Sequence, residues 1–419
     1  MNSSDQKIRE IVESYFDQAL QPGFLEQLET RLLHGGEWLF REGDPGNSLY
    51  FLIRGRLRVW SGNGDPDLEG TRLLGEVVPG DSVGEVGLLS GKPRSASIQA
   101  IRDSLLVRIN REEFEKLAGK HPALVVRLAA NVGRILQGGA SGSSAAARSL
   151  KTVTLLPLHD SEQARRYCEQ FSEVLSEQGS MLAVSPGRLA ELGAPVTDCP
   201  SDGELPDKLR HWLSDQEDGH DFVLYNCSAG DSAWSRFAIR QSDIVLMVAD
   251  AGSGPASIEW EPDADSAATH FVGRRALVLL QDDRFIISST RDWLAGRRLD
   301  FHLHMEKNRL EDVKRAVRIV TGNATGLVIG GGAARGLSAL GVFKALIEKG
   351  IEIDWVGGTS IGSVIAGAIA TNWKPDDAID ACRKAFKGGK PFGDFTIPVV
   401  SLLRGRRMTR LLSSHLDFQ

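Results

Sequence analysis

The pattern of hydrophobic and polar positions divides the chain into three regions. In residues 36–108 the apolar positions form short runs, such as 49–53 and 57–60, separated by frequent glycines. Short strands with many turn residues are typical of a β-barrel or sandwich. Apolar residues at helical spacing predict helices on both sides of it, over 6–33 and 111–136.

The second region alternates between two kinds of pattern. Short apolar runs at 153–156, 222–225, 244–248 and 276–280 are separated by helical stretches such as 162–178. Strands that alternate with helices predict a parallel sheet of the Rossmann-like α/β type. Between the first two regions, residues 138–148 consist almost entirely of glycine, serine and alanine, a composition that predicts a flexible linker.

The third region begins near Gly326 and reads as two units of strand, glycine-containing turn and helix. The predicted fold class is therefore a multidomain α+β and α/β protein. We expect a barrel domain with its helices over 1–137, a linker over 138–150, an α/β domain over 151–321 and the beginning of a further α/β domain over 322–419.

Composition narrows the possible settings of this 419-residue chain. Hydrophobic residues make up 42% and charged residues 25%, and no apolar run approaches the roughly 20 residues that span a bilayer. The four cysteines form no C-x-x-C pair, so neither a metal site nor a disulfide scaffold is expected. The net charge of −6 gives no field that attracts nucleic acid. The expected setting is the cytoplasm.

Residues 80–97 contain the most informative chemistry of the first region. A cyclic nucleotide needs backbone N–H groups and a guanidinium for its phosphate, and an acceptor for the ribose hydroxyl. Gly84, Ser95 and Ala96 allow a close approach of the backbone, Arg94 can bind the phosphate, and Glu85 can accept the 2′-hydroxyl. The alternative is an internal salt bridge between Glu85 and Arg94 in a barrel that binds no ligand.

This stretch resembles the phosphate-binding cassette of the cyclic-nucleotide-binding family, over roughly residues 15–137. The resemblance implies that Glu85 binds ribose, that Arg94 and Ser95 bind the cyclic phosphate, and that the helices over 111–136 respond to occupancy. It implies cAMP or cGMP as an allosteric ligand and does not choose between them.

The third region opens with a strand that enters a glycine-rich loop, in which Gly331, Gly332, Ala333, Arg335 and Gly336 precede a helix. Such a turn exposes consecutive N–H groups at a positive helix end. A dinucleotide-binding fold is the alternative, but neither reading frame completes the required G-x-G-x-x-G pattern.

The second strand–turn–helix unit contains a G-x-S-x-G pattern formed by Gly358, Ser360 and Gly362. At a strand-to-helix turn this pattern predicts a nucleophile elbow, in which the two glycines relieve crowding around the serine. The pattern alone is common by chance. It becomes specific because it follows the glycine-rich loop in a matching context.

The pair of motifs resembles the patatin-like phospholipase family, and the middle and third regions resemble its bacterial members related to neuropathy target esterase. The resemblance implies a Ser–Asp dyad with Ser360 as nucleophile, and an oxyanion loop of Gly331, Gly332, Ala333, Arg335 and Gly336, with Ala333 in place of a glycine. It implies lysophospholipid or phospholipid substrates, no cofactor for catalysis, and contact with the inner face of a membrane.

One family feature is missing from the sequence. The activating Asp of these enzymes precedes a glycine, and none of the aspartates among the 59 residues after Ser360 does so. We therefore expect that the third region is incomplete and that the Asp lies beyond Gln419. The alternative function is a non-catalytic cyclic-nucleotide sensor. A transcription factor ranks last, since no helix-turn-helix pattern follows the barrel.

Overall fold

The computed structural model describes residues 3–15, 28–62, 71–136, 150–197, 205–230, 232–255, 273–283, 290–370, 374–389, 406–407 and 409–410. The chain divides into two compact units, Met1–Gly322 and Asn323–Gln419. Of the predicted linker at 138–150, residues 138–149 lie outside the described residues.

The first unit begins with an antiparallel β-barrel. Strand order is β1-β6-β3-β4, with β2 paired to β6 and β5 paired to β3. Its interior is filled by apolar side chains such as Leu52, Leu57 and Leu106, all fully buried. The strands are β1 (Glu29–Leu33), β2 (Trp38–Phe40), β3 (Ser48–Ser61), β4 (Arg72–Val77), β5 (Ser82–Val83) and β6 (Ser97–Asn110).

Four helices accompany the barrel: α1 (Ser3–Glu13), α2 (Glu85–Ser90), α3 (Arg111–Lys120) and α4 (Pro122–Leu136). Val12, Phe114 and Leu128 from the longer helices pack in one cluster with the strand residue Phe51. Helix α3 starts at a capping box in which the Asn110 side chain accepts from the backbone of N3 and the N3 glutamate side chain accepts from the backbone of Asn110.

The predicted helix over 6–33 is wrong at its end, where Glu29–Leu33 forms strand β1 and pairs with β6. Its side chains alternate, since Leu33 is 1% exposed and Leu32 is 58% exposed. That alternation of burial suits a strand on a barrel surface. The helical stretch over 111–136 is two helices, because a proline at position 122 disfavours helical backbone at the residue before it.

The rest of the first unit is a six-stranded sheet in which every pair is parallel, with the order β12-β11-β10-β7-β9-β8. The Rossmann-like α/β prediction is confirmed. The strands are β7 (Thr152–Pro157), β8 (Met181–Val184), β9 (Phe222–Asn226), β10 (Ile244–Asp250), β11 (Arg274–Gln281) and β12 (Phe301–Glu306).

Helices cover both faces of this sheet. Helices α5 (Glu162–Ser176) and α9 (Leu310–Thr321) contribute to one apolar cluster, and α6 (Asp207–Gly219) and α7 (Ala233–Arg240) contribute to the other. The short α8 (Thr290–Leu294) adds the fully buried Trp293 to the second cluster. A sheet buried on both faces explains why its strands read as continuous apolar runs.

The second unit contains two parallel strands, β13 (Gly326–Ile329) and β14 (Trp355–Gly358), aligned so that Ile329 lies opposite Gly358. Its helices are α10 (Ser338–Glu348), α11 (Ile361–Ala370) and α12 (Pro375–Gly389). None of the helices in the described ranges is long and apolar enough to cross a membrane.

Two candidate functional sites

A cavity of about 260 Å³ opens in the barrel. Its wall includes the β4, β5 and α2 segments and the residues that precede β6. All five residues predicted from the cassette line it, namely Gly84, Glu85, Arg94, Ser95 and Ala96. The fold therefore gathers into one cavity side chains that the sequence had suggested only by their chemistry.

The guanidinium of Arg94 is buried at this cavity, with 4% of the residue exposed. Nη1 donates to the Gly84 carbonyl oxygen at 3.1 Å and Nη2 donates to Ser48 Oγ at 3.1 Å. Its Nε has no partner, and Cζ lies 4.1 Å from the centroid of the Phe40 ring. Burial lowers the pKa of Arg94, and the more distant charges of Asp44 and Glu85 only partly oppose this, since no carboxylate of the described residues forms an ion pair with the guanidinium within 4.0 Å.

The carboxyl group of Glu85 is also buried, with 3% of the residue exposed. It accepts a hydrogen bond from Ser82 Oγ. Burial raises the pKa of Glu85, and the Ser82 hydrogen bond opposes that rise. Among the described residues Glu85 and Arg94 form no ion pair within 4.0 Å, so the internal salt bridge that was the alternative interpretation is absent there.

Backbone N–H groups of Ser95 and Ala96 belong to the lining of the same cavity. In the described ranges, the N–H groups of Ser95 and Ala96 donate to no acceptor. Gly84 has φ 93°, and a β-carbon added there would lie 2.5 Å from Arg94 Nη1 and 2.8 Å from the Ser48 carbonyl oxygen. Only glycine fits both this backbone conformation and this close approach.

Sequence reasoning missed further residues of the cavity. Asn131 of α4 lines it and donates from Nδ2 to Ser82 Oγ at 3.2 Å, next to the hydrogen bond between Ser82 and Glu85. Asn131 follows the buried Leu124 and Leu128 by seven and three positions. A polar residue on the apolar face of a helix is a signal that could have found it.

The second site lies at the end of β14, in the second unit. Ser360 follows this strand directly before α11 and has φ 54°. Only one other non-glycine residue in the described ranges has a positive φ. A serine held in this conformation at a strand-to-helix turn, with its side chain exposed, has the geometry of a nucleophile elbow.

The two glycines of the elbow are required by close approach of the backbone. A β-carbon at Gly358 would collide with the carbonyl group of Gly362. One at Gly362 would collide with the carbonyl oxygens of Ile329 and Gly330. The turn can therefore pass this close to the end of β13 only without side chains at both positions.

The glycine-rich loop lies beside Ser360. A β-carbon at Gly331 would lie 3.2 Å from Ser360 Cβ. Within the part of the chain that the structure describes, the N–H groups of Gly331 and Gly332 donate to no backbone acceptor. The N–H of Arg335 differs, because it donates to the Gly332 carbonyl oxygen at 3.0 Å. Two adjacent N–H groups of the loop are therefore without a backbone partner among the described residues.

No base is in hydrogen-bonding contact with Ser360 among the described residues. Asp376 pairs with Lys344 at 2.5 Å, and Asp380 pairs with Arg383 at 3.3 Å. His302 and His304 lie on β12 in the first unit, where their rings meet at 5.3 Å. Burial lowers the pKa of His304 to about 4. Asp394, His415 and Asp417 lie outside the described residues.

Replacing Gly362 by alanine is expected to destabilise the second unit by about 1–3 kcal/mol, because the added methyl group meets two carbonyl oxygens. Gly341→Ala is the matched control: Gly341 lies in α10 with nothing within 4 Å of an added β-carbon. That variant should gain stability, by about 0.5–1 kcal/mol. The free energy of unfolding of both variants is measured by urea denaturation, with hydrogen exchange of α11 as the probe. Equal stability of the two variants would contradict the close backbone approach at Gly362.

Three family models match successive parts of the chain. A cyclic nucleotide-binding domain matches residues 30–121. The P-loop like domain of the Neuropathy Target Esterase family matches residues 149–325, and a patatin-like phospholipase matches residues 327–390. The chain thus contains a cyclic nucleotide-binding domain, a P-loop like domain of the Neuropathy Target Esterase family and a patatin-like phospholipase region, in the order that the motifs predicted.

Two proteins with similar sequences are named as a patatin-like phospholipase domain-containing protein and a lysophospholipase. The chain is 30% identical over 451 residues to patatin-like phospholipase domain-containing protein 6 of Pongo abelii, covering 94% of this chain and 32% of that protein. It is 30% identical over 449 residues to lysophospholipase NTE1 of Cryptococcus neoformans, covering 91% of this chain and 27% of that protein. The chain therefore spans about a third or less of the length of these relatives.

Among solved structures, a cyclic nucleotide-binding domain from Methylobacillus flagellatus is similar to 32% of this chain. The match covers 76% of that structure at 22% identity and a TM-score of 0.27.

Proposed function

We propose that the protein is a serine hydrolase of lysophospholipids or phospholipids whose activity is controlled by a cyclic nucleotide. The observation that carries the hydrolase part is the geometry of Ser360: an exposed serine at φ 54°, beside two loop N–H groups that donate to no backbone acceptor of the described residues. A serine in a strained backbone conformation beside backbone donors is the arrangement that acyl transfer requires.

In this proposal Ser360 Oγ attacks the acyl carbonyl carbon of the lipid and gives up its proton to a base. The negative charge that develops on the carbonyl oxygen is stabilised by the N–H groups of the loop at Gly331, Gly332 and Ala333. Collapse of the tetrahedral intermediate breaks the ester bond, the departing alcohol takes a proton, and Ser360 remains acylated. Water then hydrolyses the acyl-enzyme and releases the fatty acid.

The proposal assigns the nucleophile and the oxyanion donors to this sequence and assigns no residue of it to the base. The family resemblance implies an aspartate for that role. No group of acidic, histidine or cysteine side chains in the described ranges could hold a metal ion, and the mechanism uses none.

The lipid substrate is supported by the family and by the name of the fungal relative, a lysophospholipase. Such substrates reside in membranes or micelles, so the proposal includes peripheral contact with a membrane surface, from the cytoplasmic side. It includes no contact with nucleic acid.

In the barrel, we propose that a cyclic nucleotide occupies the cavity. Arg94 and the N–H groups of Ser95 and Ala96 would bind the cyclic phosphate, and Glu85 would accept the ribose 2′-hydroxyl. The burial of Arg94 supports this assignment: its guanidinium forms no ion pair with a carboxylate of the described residues, and an anion is the partner that offsets its desolvation. The ligand is cAMP or cGMP.

The test is release of fatty acid from lysophosphatidylcholine by the intact protein, without nucleotide and with saturating cAMP or cGMP. We expect hydrolysis and a rate that one of the nucleotides changes. Absence of fatty acid release under every condition would contradict the hydrolase part. A constant rate while the nucleotide is bound would contradict the regulatory part.

A further inference from the structure

Basic side chains lie on the wall of the barrel. Arg54, Arg56 and Arg58 lie in β3, where the strand pairing with β6 is irregular, and all three contact carboxylates. Arg102 of β6 lies directly opposite Arg56 in the strand pairing. Three of them are buried, with 8% of Arg54, 3% of Arg56 and 5% of Arg102 exposed. Buried arginines require partners.

The partners come from the α/β domain of the same unit. Arg54 Nη2 lies 2.9 Å from Asp215 and 2.7 Å from Asp218, near the C-terminal end of α6. Arg102 Nη1 lies 2.5 Å from Glu217 of the same helix. The barrel is thus joined to the α/β domain by ion pairs, of which the pair between Arg102 and Glu217 is largely removed from solvent.

Asp243 lies at the centre of these contacts. Its carboxylate is 3.3 Å from Arg102 Nε and 3.7 Å from Arg56 Nη1. It also accepts from the backbone N–H groups of Lys151 and Thr152 at 2.7 and 3.1 Å, where β7 begins. Burial alone would raise the pKa of Asp243, but the two arginines and these N–H groups hold it below its usual value. Asp243 therefore stays ionised and ties the arginines to the backbone of a central strand.

The ion pairs around Asp243 continue through Arg56 to the wall of the cavity. Glu76 of β4 lines the cavity, and its carboxylate lies 2.7 Å from Arg56 Nε and 3.4 Å from Arg58 Nη2. The next residue, Val77, is buried in the barrel core. Val77 lines the cavity as well, so β4 forms part of the cavity wall and the carboxylate of Glu76 joins that wall to the arginines of β3.

We propose that Glu76, Arg56, Asp243, Arg102 and Glu217, here named the wall cluster, transmit occupancy of the cavity to the α/β domain. This rests on the proposed binding of a cyclic nucleotide in that cavity. A ligand that fills the cavity displaces β4, and Glu76 carries the displacement to Arg56. The buried charges follow because separation from their partners would leave them uncompensated, so Asp243 and the start of β7 move with them.

A purely static interface is the competing account. In that case the ion pairs only hold the two domains together, and a ligand in the barrel changes nothing beyond it. The two accounts differ in what the backbone N–H groups of Lys151 and Thr152 do when the ligand binds.

The experiment measures hydrogen–deuterium exchange of peptides covering 150–157 and 207–219, without ligand and with saturating cAMP or cGMP. Calorimetry on the same samples reports whether the nucleotide binds. We expect binding to change exchange in both peptides by about fivefold or more, the lower end of typical coupling between sites. Glu76→Gln and Glu217→Gln, which each remove a charge at one end of the wall cluster, should abolish that change.

Glu29→Gln is the matched control. Glu29 pairs with Arg108 at 2.7 Å, and its side chain is 57% exposed, outside the wall cluster. It should respond to the nucleotide like the parent protein. If a bound nucleotide leaves both peptides unchanged in the parent, or changes them equally in the parent and in either cluster variant that folds, the transmission proposal is overturned. If calorimetry detects no binding of either nucleotide, the proposed ligand site fails and the transmission with it.

Discussion

Replacing Ser360 by alanine is expected to reduce hydrolysis of lysophosphatidylcholine by the intact protein at least about 10³-fold, since the side chain that forms the acyl intermediate is lost. Ser360→Gly should reduce hydrolysis to the same extent and should also stabilise the fold. Glycine accepts a positive φ without strain, so the free energy of unfolding should rise by about 1 kcal/mol.

Ser176→Ala is the control for both variants. Ser176 is an exposed serine near the end of α5, where its hydroxyl donates to the Glu173 carbonyl oxygen. It should retain the activity of the parent. Retention of hydrolysis in either Ser360 variant would rule out this serine as the nucleophile.

Replacing Arg94 by alanine is expected to weaken binding of the cyclic nucleotide at least about 30-fold, since loss of one member of a buried charged contact typically costs about 2–5 kcal/mol. Arg94→Lys should also bind poorly, because a lysine cannot reproduce two guanidinium contacts, one to the Gly84 carbonyl and one to Ser48. Isothermal titration calorimetry with cAMP and cGMP measures both effects.

The control for this site is Arg72→Ala. Arg72 begins β4, is exposed, and does not line the cavity. Its removal should change the dissociation constant by less than about twofold. An Arg94→Ala variant that binds as tightly as Arg72→Ala would show that the nucleotide does not use this guanidinium.

Local chemistry made much of both sites predictable. A glycine-rich loop and a G-x-S-x-G turn carry their structural meaning in a few consecutive residues, so the elbow at Ser360 could be expected before any fold was known. The same holds for Glu85 and Arg94, which are close together in the sequence and line the same cavity. The alternating apolar and helical patterns likewise predicted the α/β sheet.

Features that depend on distant parts of the chain were not predictable in this way. Asn131 reaches the cavity from a helix that starts after the barrel is complete. Asp243 meets Arg56 and Arg102 only because the α/β domain packs against the barrel wall. The strand at Glu29–Leu33 was mistaken for helix because five residues are too few for the two periodicities to be told apart.

The arginines of β3 are another feature that depends on distant parts of the chain. The sequence alone does not tell whether arginines in a strand lie on a solvent-exposed or a buried face. Once Arg56 is found to be 3% exposed with Glu76 and Asp243 beside it, the pattern becomes an internal contact between domains. The burial of a charged residue, which the sequence does not give, decides whether it forms a contact between domains.

The most direct test of the central claim is covalent labelling of the intact protein with a fluorophosphonate, which reacts with activated serines, followed by identification of the labelled peptide. We predict a single modified residue, Ser360, and no labelling in Ser360→Ala. Labelling of a different serine, or none in a protein that hydrolyses lysophosphatidylcholine, would contradict the account.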